Sequence, residues 1–183
     1  MLVFDARGHG LSDAPPSGYS RADRVDDLAA AVDNLNVDRF HLVGLSMGGS
    51  TAIGYALRDQ SRLASLTLVS TGAAGWNVGL KISRIDTLAR EQGLEAARAK
   101  WMEYSLRYYR EDQQAIRELI ATMMRAHSGA PWMDERRGKY PDPGKDLDRV
   151  HEIRVPTLIV AGEQDRVFVP LARELKERIP DAR

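Results

Sequence analysis

Two hydrophobic periods share this chain. Leu2-Val3-Phe4-Asp5, Phe40-His41-Leu42-Val43, Leu66-Thr67-Leu68-Val69-Ser70 and Val155-Pro156-Thr157-Leu158-Ile159-Val160-Ala161 are short apolar runs, the third of them also β-branched, and each predicts a strand. Between the first two, Val25, Leu28, Ala29, Val32 and Leu35 recur at helical spacing with Asp and Arg between them, and the helix is expected to end near Asn36. Ser20 with Asp23 predicts its N-terminal cap, the Asp standing where an ideal capping box has the longer Glu. Gly48, Gly49, Ala52 and Ala56 line a second helix that can approach a sheet closely. The order to this point is β-α-β-α-β, with connections that permit only parallel pairing through helices.

From Gly72 to about Lys145 the strand period disappears. Helices are expected around Ile82–Arg90, Leu94–Arg107 and Gln113–Ala126, and Ser128-Gly129-Ala130-Pro131 and Tyr140-Pro141-Asp142-Pro143-Gly144 read as hinges or linkers. Trp76, Trp101, Tyr104, Tyr108, Tyr109, Met123, Met124 and Trp132 lie in this stretch; packing between helices accounts for most of them, and others could line an apolar pocket. After the late strand, Gly162-Glu163-Gln164-Asp165 turns into an amphipathic helix over Leu171–Ile179. The expected organisation is a core α/β layer over 1–71, a helical insertion over 72–145, and the core continued over 146–183.

Composition removes several function classes. Among 183 residues, 26 Lys and Arg balance 26 Asp and Glu, so no basic face points to nucleic acid or to an anionic membrane. There is no cysteine, which excludes disulfides and thiolate metal sites and suits the cytoplasm. The apolar start Met1–Phe4 is followed at once by Asp5 and Arg7 and is too short for a signal peptide or a membrane span. A small-molecule substrate is the expected partner; the oligomeric state is left open.

The chemistry centres on Gly44-Leu45-Ser46-Met47-Gly48. An apolar strand runs into it and a small-residue helix leaves it, the context of a nucleophile elbow. A tight strand-to-helix turn forces the serine into a strained conformation, and glycines at positions 44 and 48 are expected to leave room for it. The helix that follows points its unpaired N–H groups at the same spot. Serine needs a base, usually a histidine held by a carboxylate. Asp165 is the carboxylate candidate, because it follows a buried strand at the edge where parallel sheets place their sites; a plain turn-forming Asp fits the same position. The chain has four histidines. His41 lies five residues before Ser46, about 15 Å away along an extended strand and towards the other sheet edge. His151 precedes its strand, His127 sits in the helical insertion, and His9 is explained by its Gly-His-Gly turn. None is expected to be the general base.

These motifs together resemble the α/β-hydrolase family. The resemblance rests on Asp5-x-Arg7-Gly8-His9-Gly10-x-Ser12, the elbow at Gly44–Gly48, Pro156-Thr157-Leu158-Ile159-Val160-x-Gly162-x-x-Asp165 and the helical insertion, and it spans nearly the whole chain. The phrases are most similar to those of small esterases, 3-oxoadipate enol-lactonases and C–C hydrolases. Ser46 argues against the branches with an Asp nucleophile, such as epoxide hydrolases and haloalkane dehalogenases.

The resemblance implies a partial α/β-hydrolase fold, a mostly parallel sheet flanked by helices and carrying a helical cap. It implies Ser46 as nucleophile, Asp165 as triad acid and the Met47 N–H as oxyanion donor, with no metal or organic cofactor. The substrate class is a small carboxylic ester, thioester, lactone or activated C–C carbonyl compound; the alternative is a non-catalytic small-molecule binding protein of the same fold. In the family the triad runs Ser, acid, His. The resemblance therefore places the histidine beyond Arg183 and the second oxyanion donor before Met1, and implies a chain truncated at both ends and close to inactive as it stands. It also places an absent strand between Leu2–Asp5 and Phe40–Val43. Either that gap stays open or Leu2–Asp5 moves across to pair, and marginal stability with a tendency to associate is expected.

Overall fold

The computed structural model describes residues 1–76, 83–107, 109–136 and 145–183. Their contacts form two compact units, Ser20–Gly79 with Pro141–Arg183, and Met1–Tyr19 with Leu80–Tyr140. The expected helix start at Ile82, Tyr108 and the linker Tyr140–Gly144 lie outside the described residues.

The first unit is a parallel sheet with helices. Helix α1 (Arg21–Asn34) opens on a full capping box: the Asp23 N–H donates to the Ser20 hydroxyl at 3.1 Å, and the Ser20 N–H donates to the Asp23 carboxylate at 2.8 Å. The shorter Asp thus serves where Glu is usual. The helix buries Val25, Leu28 and Val32 and ends where Asn36 turns left-handed at φ 51°. Strands β1 (Phe40–Leu45), β2 (Leu63–Val69) and β3 (Thr157–Val160) pair in parallel in the order β1-β2-β3. Helix α2 (Met47–Arg58) joins β1 to β2, and α8 (Val169–Arg178) follows β3.

The sheet has two unlike faces. Leu66 and Leu68 are fully buried with Ile53, Leu171 and Leu175, each worth roughly 1.5–3 kcal/mol of apolar burial. On the opposite face the register aligns Val43 with Thr67 and Leu158, and Leu45 with Val69 and Val160. There Val43 and Leu45 are 66% and 63% exposed, and Leu158 and Val160 are exposed as well. Arg183 bonds the outer edge of β3, donating to the Thr157 carbonyl at 3.0 Å and accepting from the Ile159 N–H at 2.8 Å.

A short helix α7 (Asp146–Arg149) and a 3₁₀ turn (Val150–Glu152) precede β3. Asp146 is buried against Arg21, and its carboxylate accepts the Ala74 N–H at 3.0 Å. A cavity of about 200 Å³ beside this pair is lined by Arg21, Gly54, Arg58, Asp146 and Arg149. Its arginines are engaged with Asp146, Asp26 and Glu152, so it reads as an ion-paired seam between helices.

The second unit is helical: α3 (Ser83–Gln92), α4 (Leu94–Leu106), α5 (Gln114–Ala126) and α6 (Ala130–Met133). Ile85, Ala89, Ala97, Met124 and Trp132 form its core, with Trp101, Met102 and Tyr104 packed on it. Most of the large side chains noted in the sequence are therefore packing residues. Met123 is exposed, in a row with Ile116 and Leu119 on α5. The expected hinge at Ala130-Pro131 is instead the first turn of α6, a place where the missing proline N–H costs nothing.

One expected strand is absent. Leu2–Asp5 joins no ladder, and Leu2, Val3 and Phe4 are exposed. A strand exists only through a neighbouring strand that takes up its N–H and C=O groups, and these residues have none among those described. Asp5 organises the following turn instead: its carboxylate accepts the Leu11 N–H at 3.1 Å and its carbonyl the Ser12 hydroxyl at 2.6 Å. Among the described residues the sheet order begins at β1.

Candidate active site

Ser46 stands between the end of β1 and the first turn of α2, at φ 51° and ψ −112°. A non-glycine residue there is strained by roughly 1–3 kcal/mol and persists only where its surroundings over-determine it. They do so here. The Ser46 N–H donates to the Val69 carbonyl at 3.0 Å, continuing the ladder, and its carbonyl accepts the Ser50 N–H at 3.1 Å, starting the helix. The side chain makes no capping bond to that helix, so the hydroxyl stays exposed and uncommitted. Met47 opens α2, whose first-turn N–H groups have no intrahelical acceptor, and it is exposed beside Ser46.

The glycines divide differently from the motif. A Cβ on Gly44 would lie 2.5 Å from the Gly48 carbonyl oxygen and 2.6 Å from Gly49 Cα, so the strand glycine is required for the helix to leave so sharply. A Cβ on Gly48 would meet nothing within 4 Å, which corrects the expectation that position 48 is crowded. The second crowded glycine is Gly49, where a Cβ would lie 2.0 Å from Thr71 Oγ1. Thr71 was not a candidate from the sequence; no local pattern marks it.

Asp165 lies in the turn between β3 and α8, at the same edge of the sheet as Ser46. With β2 between their strands, the strand ends stand about 10 Å apart. One carboxylate oxygen of Asp165, Oδ1, accepts the N–H groups of Val167 at 3.1 Å and Phe168 at 3.0 Å. Those bonds fix the side chain while Oδ2 makes no hydrogen bond among the described residues. One oxygen anchored and one open is the arrangement that can orient an imidazole.

The four histidines divide evenly between the two units. In the unit that carries Ser46 and Asp165, His41 faces Ser65, with Nδ1 2.7 Å from its hydroxyl, and His151 lies in the 3₁₀ turn ahead of β3. In the helical unit, His9 and His127 meet edge to face with centroids 5.0 Å apart, and Trp132 lies against His127 at 4.6 Å. His127 Nδ1 accepts the Gly129 N–H at 3.0 Å, a bond that requires an unprotonated nitrogen. Burial, then the neighbouring His9 and Arg98, lower its pKa to about 4. Among the described residues no cluster of His, Cys, Asp and Glu could hold a metal ion. No helix there is long and apolar enough to cross a membrane.

The sequence pattern of the alpha/beta hydrolase family matches residues 1–183. The chain belongs to the alpha/beta hydrolase family. A 2-hydroxy-6-oxononadienedioate/2-hydroxy-6-oxononatrienedioate hydrolase of Klebsiella pneumoniae is 32% identical over 189 residues, covering 96% of this chain and 63% of that protein. 3-Oxoadipate enol-lactonase 1 of Acinetobacter baylyi is 26% identical, with 91% of this chain and 62% of that protein covered. The solved enol-lactonase of Burkholderia xenovorans superposes with a TM-score of 0.79 over 98% of this chain and 68% of its own, at 24% identity, a likeness of fold. This alpha/beta hydrolase chain thus spans less than two thirds of the length of those two curated relatives. Its parallel sheet and flanking helices are part of the family fold.

Proposed function

We propose that this chain carries the nucleophile and the acid of a serine hydrolase acting on a small carboxylic ester, thioester, lactone or activated C–C carbonyl compound. The strained backbone of Ser46, with its hydroxyl untied in front of a helix N-terminus, carries the reading. The chain's similarity to an enol-lactonase and to a 2-hydroxy-6-oxononadienedioate/2-hydroxy-6-oxononatrienedioate hydrolase supports the substrate class. Residues 72–145 are assigned as the cap inserted between core segments 1–71 and 146–183.

In this reading the Ser46 oxygen attacks the substrate carbonyl as an imidazole takes its proton. The negative charge that develops on the carbonyl oxygen is met by the Met47 N–H, where a preorganised donor is worth several kcal/mol. The imidazolium, steadied by the open oxygen of Asp165, returns the proton to the leaving group. Water then releases the acyl group from Ser46 by the same steps in reverse. Neither His41 nor His151 is placed to be that imidazole.

Free imidazole can act as the base and so tests the proposal directly. Hydrolysis of p-nitrophenyl acetate by the protein is expected to rise with added imidazole above the protein-free background. Ser46→Ala should return it to that background. Asp165→Asn, which keeps an oxygen for the Val167 and Phe168 N–H groups but loses the charge, should weaken the imidazole dependence. Equal rates in wild type and Ser46→Ala would reject the nucleophile and leave a small-molecule binding role.

A further inference from the structure

Thr71 is 4% exposed, and its hydroxyl touches the elbow. The ladder explains how it arrives there. Leu45 pairs with Val69, so Ser46 and Ser70 each stand one step past paired strand ends. Both are strained non-glycine residues, Ser70 at φ 40°, and the Ser70 N–H is held by the Val160 carbonyl at 2.8 Å. The bend at Ser70 delivers Thr71 to the first turn of α2. There its hydroxyl has one proton to share between the Ser46 carbonyl at 3.3 Å and the Gly72 carbonyl at 3.0 Å. The same side chain fills the space that a Cβ on Gly49 would need. The Ser46 carbonyl is also the acceptor for the Ser50 N–H that begins the helix. A valine would fill this volume without the cost of burying a hydroxyl, so the hydroxyl points to a use for its proton.

We infer that Thr71 is a positioning residue for Ser46, whose hydroxyl and packing against Gly49 hold the Ser46 carbonyl and with it the strained peptide that aims the nucleophile. The inference rests on the reading of Ser46 as nucleophile. A strained turn released by one hydrogen bond relaxes locally, so the loss falls on turnover and on the amides at the turn, and substrate binding is spared.

The experiment compares Thr71→Val, which keeps the shape and removes the donor, with Thr71→Ser, which keeps the donor. In Thr71→Val, imidazole-supported kcat should fall about tenfold with KM within about twofold, the scale of one buried hydrogen bond. Amide exchange at Ser46 and Ser50 should quicken by about tenfold while Ala172 in α8, whose N–H bonds Phe168, is unchanged. Thr71→Ser should restore both. Unchanged kcat and exchange in Thr71→Val overturn the inference, as does a Thr71→Ser variant that matches Thr71→Val. If Thr71→Val quickens Ala172 equally, Thr71→Ser decides: native kcat supports the role and a valine-like kcat overturns it. If wild type shows no Ser46-dependent turnover, the nucleophile reading fails, and exchange at Ser46 and Ser50 alone decides whether Thr71 holds the turn.

Discussion

Gly44→Ala and Gly48→Ala look equivalent in a Gly-x-Ser-x-Gly motif and should behave oppositely in this protein. The added methyl at position 44 would lie 2.5 Å from the Gly48 carbonyl oxygen, 2.6 Å from Gly49 Cα and 2.7 Å from the Gly48 carbonyl carbon. Ordinary contact begins at 3.4 Å, so the first overlap is 3.4 less 2.5, or about 0.9 Å. All three partners are backbone atoms of the first turn of α2, so no side chain can rotate away. Relief requires the helix to back off β1, disturbing the Ser46–Val69 bond and the packing of Ala52 and Ile53. Overpacking of this kind costs about 3 kcal/mol. At position 48 the methyl meets nothing, and replacing a helical glycine by alanine gains about 0.5–1 kcal/mol. Urea unfolding followed by far-UV circular dichroism should place Gly44→Ala about 3 kcal/mol below wild type and Gly48→Ala about 0.5–1 kcal/mol above it. A Gly48→Ala protein as destabilised as Gly44→Ala, or a neutral Gly44→Ala, would refute the steric account of the elbow.

Other consequences follow from particular contacts. Asp23→Ala removes the acceptor of the Ser20 N–H and half of the capping box, and should lower stability by about 1 kcal/mol in urea unfolding. His127 has a folded pKa of about 4, below its ordinary 6.5, so the unfolded chain takes up the proton first. Stability should be constant above neutrality and fall between pH 6.5 and 4, by about 1–2 kcal/mol after allowance for the ring's partial exposure; His127→Gln should flatten that decline in urea titrations at successive pH values. The exposed apolar face of Val43, Leu45, Leu158 and Val160 should drive association. Sedimentation should show larger species that decrease in a Val43→Lys, Val160→Lys double variant, and unaltered sedimentation would exclude this face as the cause.

The elements legible in the sequence are those whose reasons are local. The Ser20–Asp23 cap, the helical recurrence from Val25 to Leu35 and the apolar runs of β1, β2 and β3 each announce themselves within a few residues, and the structure places them within one to three residues of expectation. Leu2–Asp5 forms no strand because a strand is a property of a pair, and this run has no partner strand among the described residues. Helix α6 was hidden because Gly129 and Pro131 signal a break as readily as a start, and α7 because Asp146–Arg149 is only one turn long. Ser46 and Asp165 stand out as candidates through the patterns of their own segments. Thr71 does not, since its place at Ser46 depends on the register of β1 against β2 and on the bend at Ser70. Gly48 departs from expectation for a related reason: the motif records where glycine occurs, whereas the crowding depends on the path the helix takes away from the strand.

The central claim is that Ser46 is a nucleophile. Treatment with a fluorophosphonate in the presence of imidazole, followed by peptide mass mapping, tests it most directly. The account predicts one phosphonyl adduct, on the Ser46 hydroxyl, absent from Ser46→Ala and formed more slowly in Asp165→Asn. An unmodified Ser46, or an adduct confined to other residues, would contradict it.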